Sequence, residues 1–269
     1  MIDLVSNNVT MKDNILGKAY MEGIYRIAER NIKIVSIYSN VHELCKEYVS
    51  EGDIDFEVFI TDKDIDIEIE KAITVDKKEG NVERKHRREI CEELAVYRRI
   101  AEKMLDYDTF LFHGSVICVD NEAYVFTAKS GTGKSTHARL WRKLLGDRAI
   151  MINDDKPLIR ICDDKAIVYG TPYDGKHHLS NNISAPVKAV SIINQSVENH
   201  IETVLPMDAF PMFLQQAYRP ENPVKMAKTM DLVSRFVNGV NVFKLYCNMD
   251  IEAAEMAYEA MRGVNNEIK

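Results

Sequence analysis

The chain has 269 residues, 46% of them apolar and 29% charged, with a formal net charge of −7. That balance is ordinary for a soluble globular protein with ample length for a core, and the negative charge argues against a nucleic-acid binder working by bulk electrostatics. Five scattered cysteines form no Cys-x-x-Cys pair, and neither an apolar signal core nor a membrane-spanning run is present, so free thiols, no zinc site and a cytoplasmic location with no membrane partner are expected.

In chain order, "IKIVSIYS" (32–39) reads as a strand, "NVHELCKEYVSE" (40–51) as a helix and "DFEVFIT" (55–61) as a strand. The strict alternation of "KDIDIEIEKAI" (63–73) favours a strand, and its charge suggests an exposed edge. Residues 1–75 are therefore expected to form a small α/β unit, to which no role attaches. Residues 76–108 read as a charged connection and a long helix. The basic run Arg84-Lys85-His86-Arg87-Arg88 in it could bind an anion or a partner, but a solvated helix start is the plainer reading. Ile90, Leu94, Tyr97, Ala101, Met104 and Leu105 then keep helical spacing over 89–106.

The remainder, 109–269, is predicted as one domain. Strands are expected at 109–119 and 122–128, joined by a turn at Asp120-Asn121. Further strands are expected at 148–153, 156–162, 165–170, 187–195 and 241–247, and helices near 207–217, 222–238 and 250–262. Asp163-Asp164 reads as a plain hairpin turn. Hairpins on both sides of the glycine-rich stretch depart from simple βαβ alternation, so an α/β fold with a mixed sheet is implied.

The stretch "AKSGTGKSTHARLW" (128–141) carries most of the chemical information. A strand, a glycine loop and an amphipathic helix in that order are the context a phosphate-binding P-loop requires. Gly131 and Gly133 let successive backbone N–H groups of Ser130 to Thr136 point into one concavity, and the helix start adds partial positive charge. Lys134 can reach the β- and γ-phosphates of ATP, and the Ser135 hydroxyl can ligate Mg²⁺. The full pattern wants glycine at 128, where this chain has alanine.

"MINDD" (151–155) ends a strand with Asp154 and Asp155, about twenty residues past Lys134, where loops gather around a ligand crevice. One carboxylate could bind Mg²⁺ and the other orient or deprotonate a hydroxyl. A polar turn is the alternative. His113 in "FHGS" closes a neighbouring strand, and Gly114 after it suggests close backbone approach. In the long loop "GTPYDGKHHLSNN" (170–182), Lys176 is a candidate for contact with phosphate. The adjacent His177 and His178 do not share a face, which makes metal ligation the weaker reading. Arg219 in "QQAYRP" is a candidate charge stabiliser or a helix-end cation.

Across "FHGSVICV", "FTAKSGTGKSTHARLW", "MINDDKPLI" and "GTPYDGK", in that order, the chain resembles the HPr kinase/phosphorylase family and its relatives on the phosphoenolpyruvate-carboxykinase-like nucleotide fold. The resemblance spans roughly 109–250. It implies that Gly131 to Thr136 hold the triphosphate of ATP, that Ser135 and Asp155 hold Mg²⁺, and that Asp154 is general base with His113 close by. It implies an ATP-dependent kinase acting on a hydroxyl-bearing acceptor, either a serine of a protein or peptide or a small molecule such as free serine. A nucleotide-binding switch or weak NTPase with a partner-binding N-terminal unit is the alternative. Carboxykinase-type chemistry ranks last, since no separate oxaloacetate-binding domain is evident. A homo-oligomer is compatible with the sequence.

Overall fold

A computed structural model of the chain describes residues 10–15, 18–80, 85–163, 165–175 and 178–263. The chain divides into two compact units, Met1–Lys103 and Met104–Lys269.

In the first unit β1 (Thr10–Ile15), β2 (Lys18–Ile27) and β3 (Arg30–Ser36) form an antiparallel meander. A short helix α1 (Asn40–Leu44) leads to β4 (Phe56–Phe59), which lies parallel to β3. The helix expected over 40–51 stops early, because Val49 pairs with Tyr25. The strand expected at 63–73 is instead the helix α2 (Asp62–Glu79). End signals override the alternation there: the Asp64 carboxylate accepts from the Thr61 backbone N–H at 3.0 Å and from its hydroxyl at 2.6 Å, and Gly80 closes the helix with φ of 70°.

Helix α3 (Arg88–Met104) follows and belongs to the same unit. It buries Ala95, Val96 and Ile100 and sets Arg88, Arg98 and Arg99 against Asp62, Asp66, Glu68 and Asp64 of α2. His86 pairs with Asp76 and Arg87 with Glu89, so these members of the basic run are engaged at the start of the helix. Arg84 lies outside the described residues. The fully buried Glu92 accepts from the backbone N–H groups of Ile37 (2.6 Å) and Tyr38 (2.9 Å), tying α3 to the end of β3.

The second unit comprises β5 (Thr109–Leu111), β6 (Ser115–Val119), β7 (Glu122–Thr127), α4 (Lys134–Leu145), β8 (Ile150–Asn153), β9 (Leu158–Cys162) and β10 (Lys165–Tyr169), followed by β11 (Ser184–Gln195), β12 (His200–Thr203), α5 (Pro206–Gln216), α6 (Pro223–Gly239), β13 (Asn241–Cys247) and α7 (Ile251–Arg262). Its strands form a mixed sheet, ordered β5-β9-β10-β11-β7-β6-β8, with β13 also paired to β11 and β12 to β13. The single strand expected over 109–119 is broken at 112–114 into β5 and β6. The first residues of β11 pair antiparallel with β10, and the rest run parallel to β7 on one side and β13 on the other, so the sheet curls about this strand.

Both faces of the central strands are covered. Val125, Val190, Ile192 and Val242 face a cluster with Phe213 of α5 and Phe236 of α6. Tyr124, Phe126, Ala189, Ile193 and Phe243 face Trp141 of α4 and Tyr258 of α7. Such two-sided burial is what parallel strands require. All five cysteines are free thiols, and Cys162 alone is not buried. Among the described residues, no helix is long and apolar enough to cross a membrane.

Glu92→Gln offers one oxygen where two backbone N–H groups now meet a carboxylate. The variant is expected to lose about 1–3 kcal/mol of stability, measured by urea denaturation. An unchanged denaturation midpoint would show that the Glu92 bridge does not hold α3.

Candidate active site

The glycine-rich loop connects the C-terminal end of β7 to the start of α4. Gly131 (φ 77°) and Gly133 (φ 114°) take left-handed conformations, and Gly133 precedes the first helical residue. Those angles are what L side chains avoid. Ala128 is fully buried and lacks a positive φ, so its place in the loop needs a small apolar side chain and not glycine's freedom. Ser130, Gly131 and Ser135 are exposed. The Lys134 side chain is buried, and its ammonium lies across the loop, donating to Ala128 O at 3.3 Å. Burial lowers the Lys134 pKa, and the negative charges of Asp155 and Asp154 oppose that shift. Those two carboxylates are thus within electrostatic reach of the ammonium.

Asn153 makes that possible. Fully buried at the end of β8, its side-chain oxygen accepts from the backbone N–H groups of Asp155 (2.9 Å) and Lys156 (2.7 Å). Its amide donates to Thr171 O (3.3 Å), the Thr171 hydroxyl (3.1 Å) and Tyr173 O (3.4 Å). One side chain therefore shapes the Asp-Asp turn and pins the following loop to it. Asp154 is buried; its Oδ1 accepts from the Ser115 hydroxyl at 2.8 Å, and its Oδ2 lies where a Cβ on Gly175 would come within 3.0 Å. Asp155 is more open, with His113 Nε2 at 3.2 Å and Lys156 Nζ at 3.5 Å. Burial alone would raise the Asp155 pKa, but the hydrogen bond from His113 and the charge of Lys156 outweigh it and hold the carboxyl below its ordinary value.

His113 sits in the break between β5 and β6, its backbone N–H donating to Gln216 O at 2.9 Å. The chain from Gln216 runs antiparallel to β5: Ala217 bridges Phe112, and the Tyr218 N–H reaches Leu111 O at 2.9 Å. That direction carries Arg219 away from His113 along the backbone, exposed beside the start of β5. Lys176 and His177 lie outside the described residues. His178 is exposed and pairs with Asp174 at 2.9 Å. Asp163 has the positive φ of a turn, and Asp164 lies outside the described residues.

Among the described residues no cluster of three or more His, Cys, Asp or Glu side chains could hold a metal ion by itself, but Ser135 and Asp155 are donors of the chemical type that Mg²⁺ takes. Both supply hard oxygen, Asp155 stays anionic, and Mg²⁺ takes one or two protein ligands when phosphates and water complete its shell. Three residues that sequence reasoning missed also shape the site. Asn153 could have been found, since Asn before a polar turn is a local turn-former. Ser115, beneath Asp154, and Gln195, whose amide donates to Thr132 O at 3.2 Å, carry no local signal.

Behind the loop, His137 of α4 accepts from Trp141 Nε1 at 3.0 Å through its Nε2, which leaves the proton on Nδ1. That Nδ1 is buried with no hydrogen-bond partner among the described residues. Burial pushes the His137 pKa down to about 4.

No protein-family model matches the chain. No curated protein matches it either. Among solved structures, the HPr(Ser) kinase/phosphatase from Coxiella burnetii is similar over 57% of this chain and 99% of its own, at 10% identity and a TM-score of 0.31. Similarity at that TM-score carries no argument about activity.

Because the folded-state pKa of His137 is depressed, the native state resists its protonation. The associated stability is complete above about pH 6.5 and is lost progressively as pH falls from there to about 4, by up to about 3 kcal/mol. His137→Leu should lose less stability than wild type between pH 7 and 4.5, in urea denaturation followed by the fluorescence of Trp141. Equal losses would place the proton uptake elsewhere.

Proposed function

We propose that the chain is an ATP-dependent kinase that transfers the γ-phosphoryl group to a hydroxyl, on a serine of a protein or peptide or on a small molecule such as free serine. One observation carries this reading: Lys134, at the root of a strand–glycine loop–helix turn, lies within electrostatic reach of the carboxylates of Asp154 and Asp155, the latter bonded to His113. The sequence resemblance to HPr kinases on the phosphoenolpyruvate-carboxykinase-like fold supplies the reaction type.

In the proposed roles, the backbone N–H groups of Ser130 to Thr136 cradle the triphosphate, and Lys134 moves from Ala128 O to the β- and γ-phosphates. Ser135 and Asp155 would hold Mg²⁺, which neutralises phosphate charge when bound. Asp154 accepts the proton of the acceptor hydroxyl as its oxygen bonds to the γ-phosphorus, while the bond from that phosphorus to the β–γ bridging oxygen breaks and ADP leaves. His113 keeps Asp155 ionised and oriented. Ser115 and Gly175 hold Asp154 from two sides.

Lys134→Ala is expected to weaken ATP binding in calorimetry and to abolish turnover. Asp155→Asn should weaken Mg·ATP binding and rate together. Asp154→Asn should bind Mg·ATP nearly normally but lose phosphoryl transfer to an acceptor in cell extract, by about 10²–10⁴-fold. Exchanged phenotypes would reverse the two carboxylate roles. Wild-type transfer by both Asp variants would make the pair a plain turn and end the kinase reading.

A further inference from the structure

Strands β7, β11 and β13 are mutually parallel neighbours, so the loops after them emerge at one edge of the sheet. The loop after β7 is the glycine-rich one. The turns after β11 and β13 carry Val197 and Met249, with side chains largely open to solvent at 89% and 76% exposure. Solitary exposed apolar residues are unremarkable on a protein surface. These two stand on adjoining turns that are fastened to each other and to the glycine loop. Ser196 N–H donates to Cys247 O at 2.9 Å, Asn248 N–H to Asn199 Oδ1 at 2.9 Å and Asn248 Nδ2 to Val197 O at 3.5 Å. Asn248 and Asp250 exchange two further hydrogen bonds, at 2.9 and 3.0 Å, which stiffen the second turn. Gln195, two residues before Val197, reaches Thr132 O at the tip of the glycine loop.

The sheet order gives this edge a direction. Asp154 and Asp155 follow β8, and His113 precedes β6; both strands lie on one side of β7. β11 and β13 lie on the other. A nucleoside triphosphate held in the glycine loop with its terminal phosphoryl group toward the carboxylates must send its sugar and base the opposite way, over the ends of β11 and β13. The flat, weakly polar face of a base needs an apolar seat there, and a thioether is a favourable neighbour for an aromatic ring.

We propose that the turns after β11 and β13 seat the nucleoside half of the triphosphate, with Val197 and Met249 as its apolar floor. This inference rests on the reading of the glycine loop as a phosphate cradle. It adds that affinity is divided: the phosphates are held by the loop and Lys134, and the base by a separate, preformed surface tied to the loop through Gln195.

The test compares Mg·ATP with inorganic tripolyphosphate plus Mg²⁺ by calorimetry, in wild type, Lys134→Ala and the double variant Val197→Ser/Met249→Ser. Both altered turn residues are exposed, and tripolyphosphate binding itself reports that the variant is folded. The expected result is that the double variant loses about tenfold or more in ATP affinity and nothing in tripolyphosphate affinity, while Lys134→Ala weakens both. ATP binding to the double variant at wild-type strength would overturn the base seat and leave the phosphate cradle standing. So would wild type that holds tripolyphosphate as tightly as ATP, or a double variant that loses both ligands equally. Wild type that binds neither would overturn the cradle and this inference with it.

Discussion

Strand β11 is hydrogen-bonded along both edges for much of its length, and the second unit is registered from it. Its opening residues close the β10 side, its middle pairs with β7 and β13 together, and its last residues stay paired to β13. No water reaches its buried backbone, so each N–H and C=O must find a partner in a neighbouring strand. Parallel pairing with β7 and β13 then requires connections that return across the sheet, and helices cover both faces. The C-terminal ends of three strands consequently open at the same edge. A glycine loop at one of them is placed by sheet topology as much as by its own residues.

The polar groups beside that loop are held by buried donors and acceptors. Asn153 bonds to the backbone of the Asp154-Asp155 turn and to that of the loop at Thr171 and Tyr173, so one small side chain fixes two separate segments. Buried polar networks of this kind are rigid because breaking one bond strands a partner in an apolar interior. Asp154 and Asp155 are adjacent in the chain but differ in surroundings: one takes a hydroxyl and a glycine as neighbours, the other an imidazole and an ammonium. A division of labour between them therefore has a physical basis, whichever carboxylate takes which task.

What the sequence made legible follows from how local each signal is. The loop from Gly131 to Ser135, the strand before it and the helix after it were readable because glycine angles, β-branched runs and helical periodicity act over a few residues. The turn at Asp120-Asn121 was readable for the same reason; both residues have positive φ. The antiparallel ribbon of β1 and β2 was not, since polar residues such as Glu22 and Arg26 interrupt its apolar pattern. Strand β12 is short and mostly exposed, and it exists only because β13 offers an edge. In the site, Asp154, Asp155 and His113 could be nominated from position. Of their partners, Lys156 is simply the next residue in the chain, but Ser115 of β6 and Gln216 of α5 come from distant elements, and only tertiary structure joins them.

Helix α2 contains the alternation Asp64, Ile65, Asp66, Ile67, Glu68, Ile69, Glu70, which would suit a strand if the helix were lost. As an extended segment it would present isoleucines on one side and carboxylates on the other. Stacked copies in register would set like charges opposite one another, which opposes association at neutral pH. Acid removes that opposition by protonating the carboxylates. It also strips α2 of its ion pairs with Arg88, Arg98 and Arg99. Acid thus loosens the helix and removes the like-charge opposition together, so the charged face of this segment works against strand-to-strand stacking wherever its carboxylates are ionised.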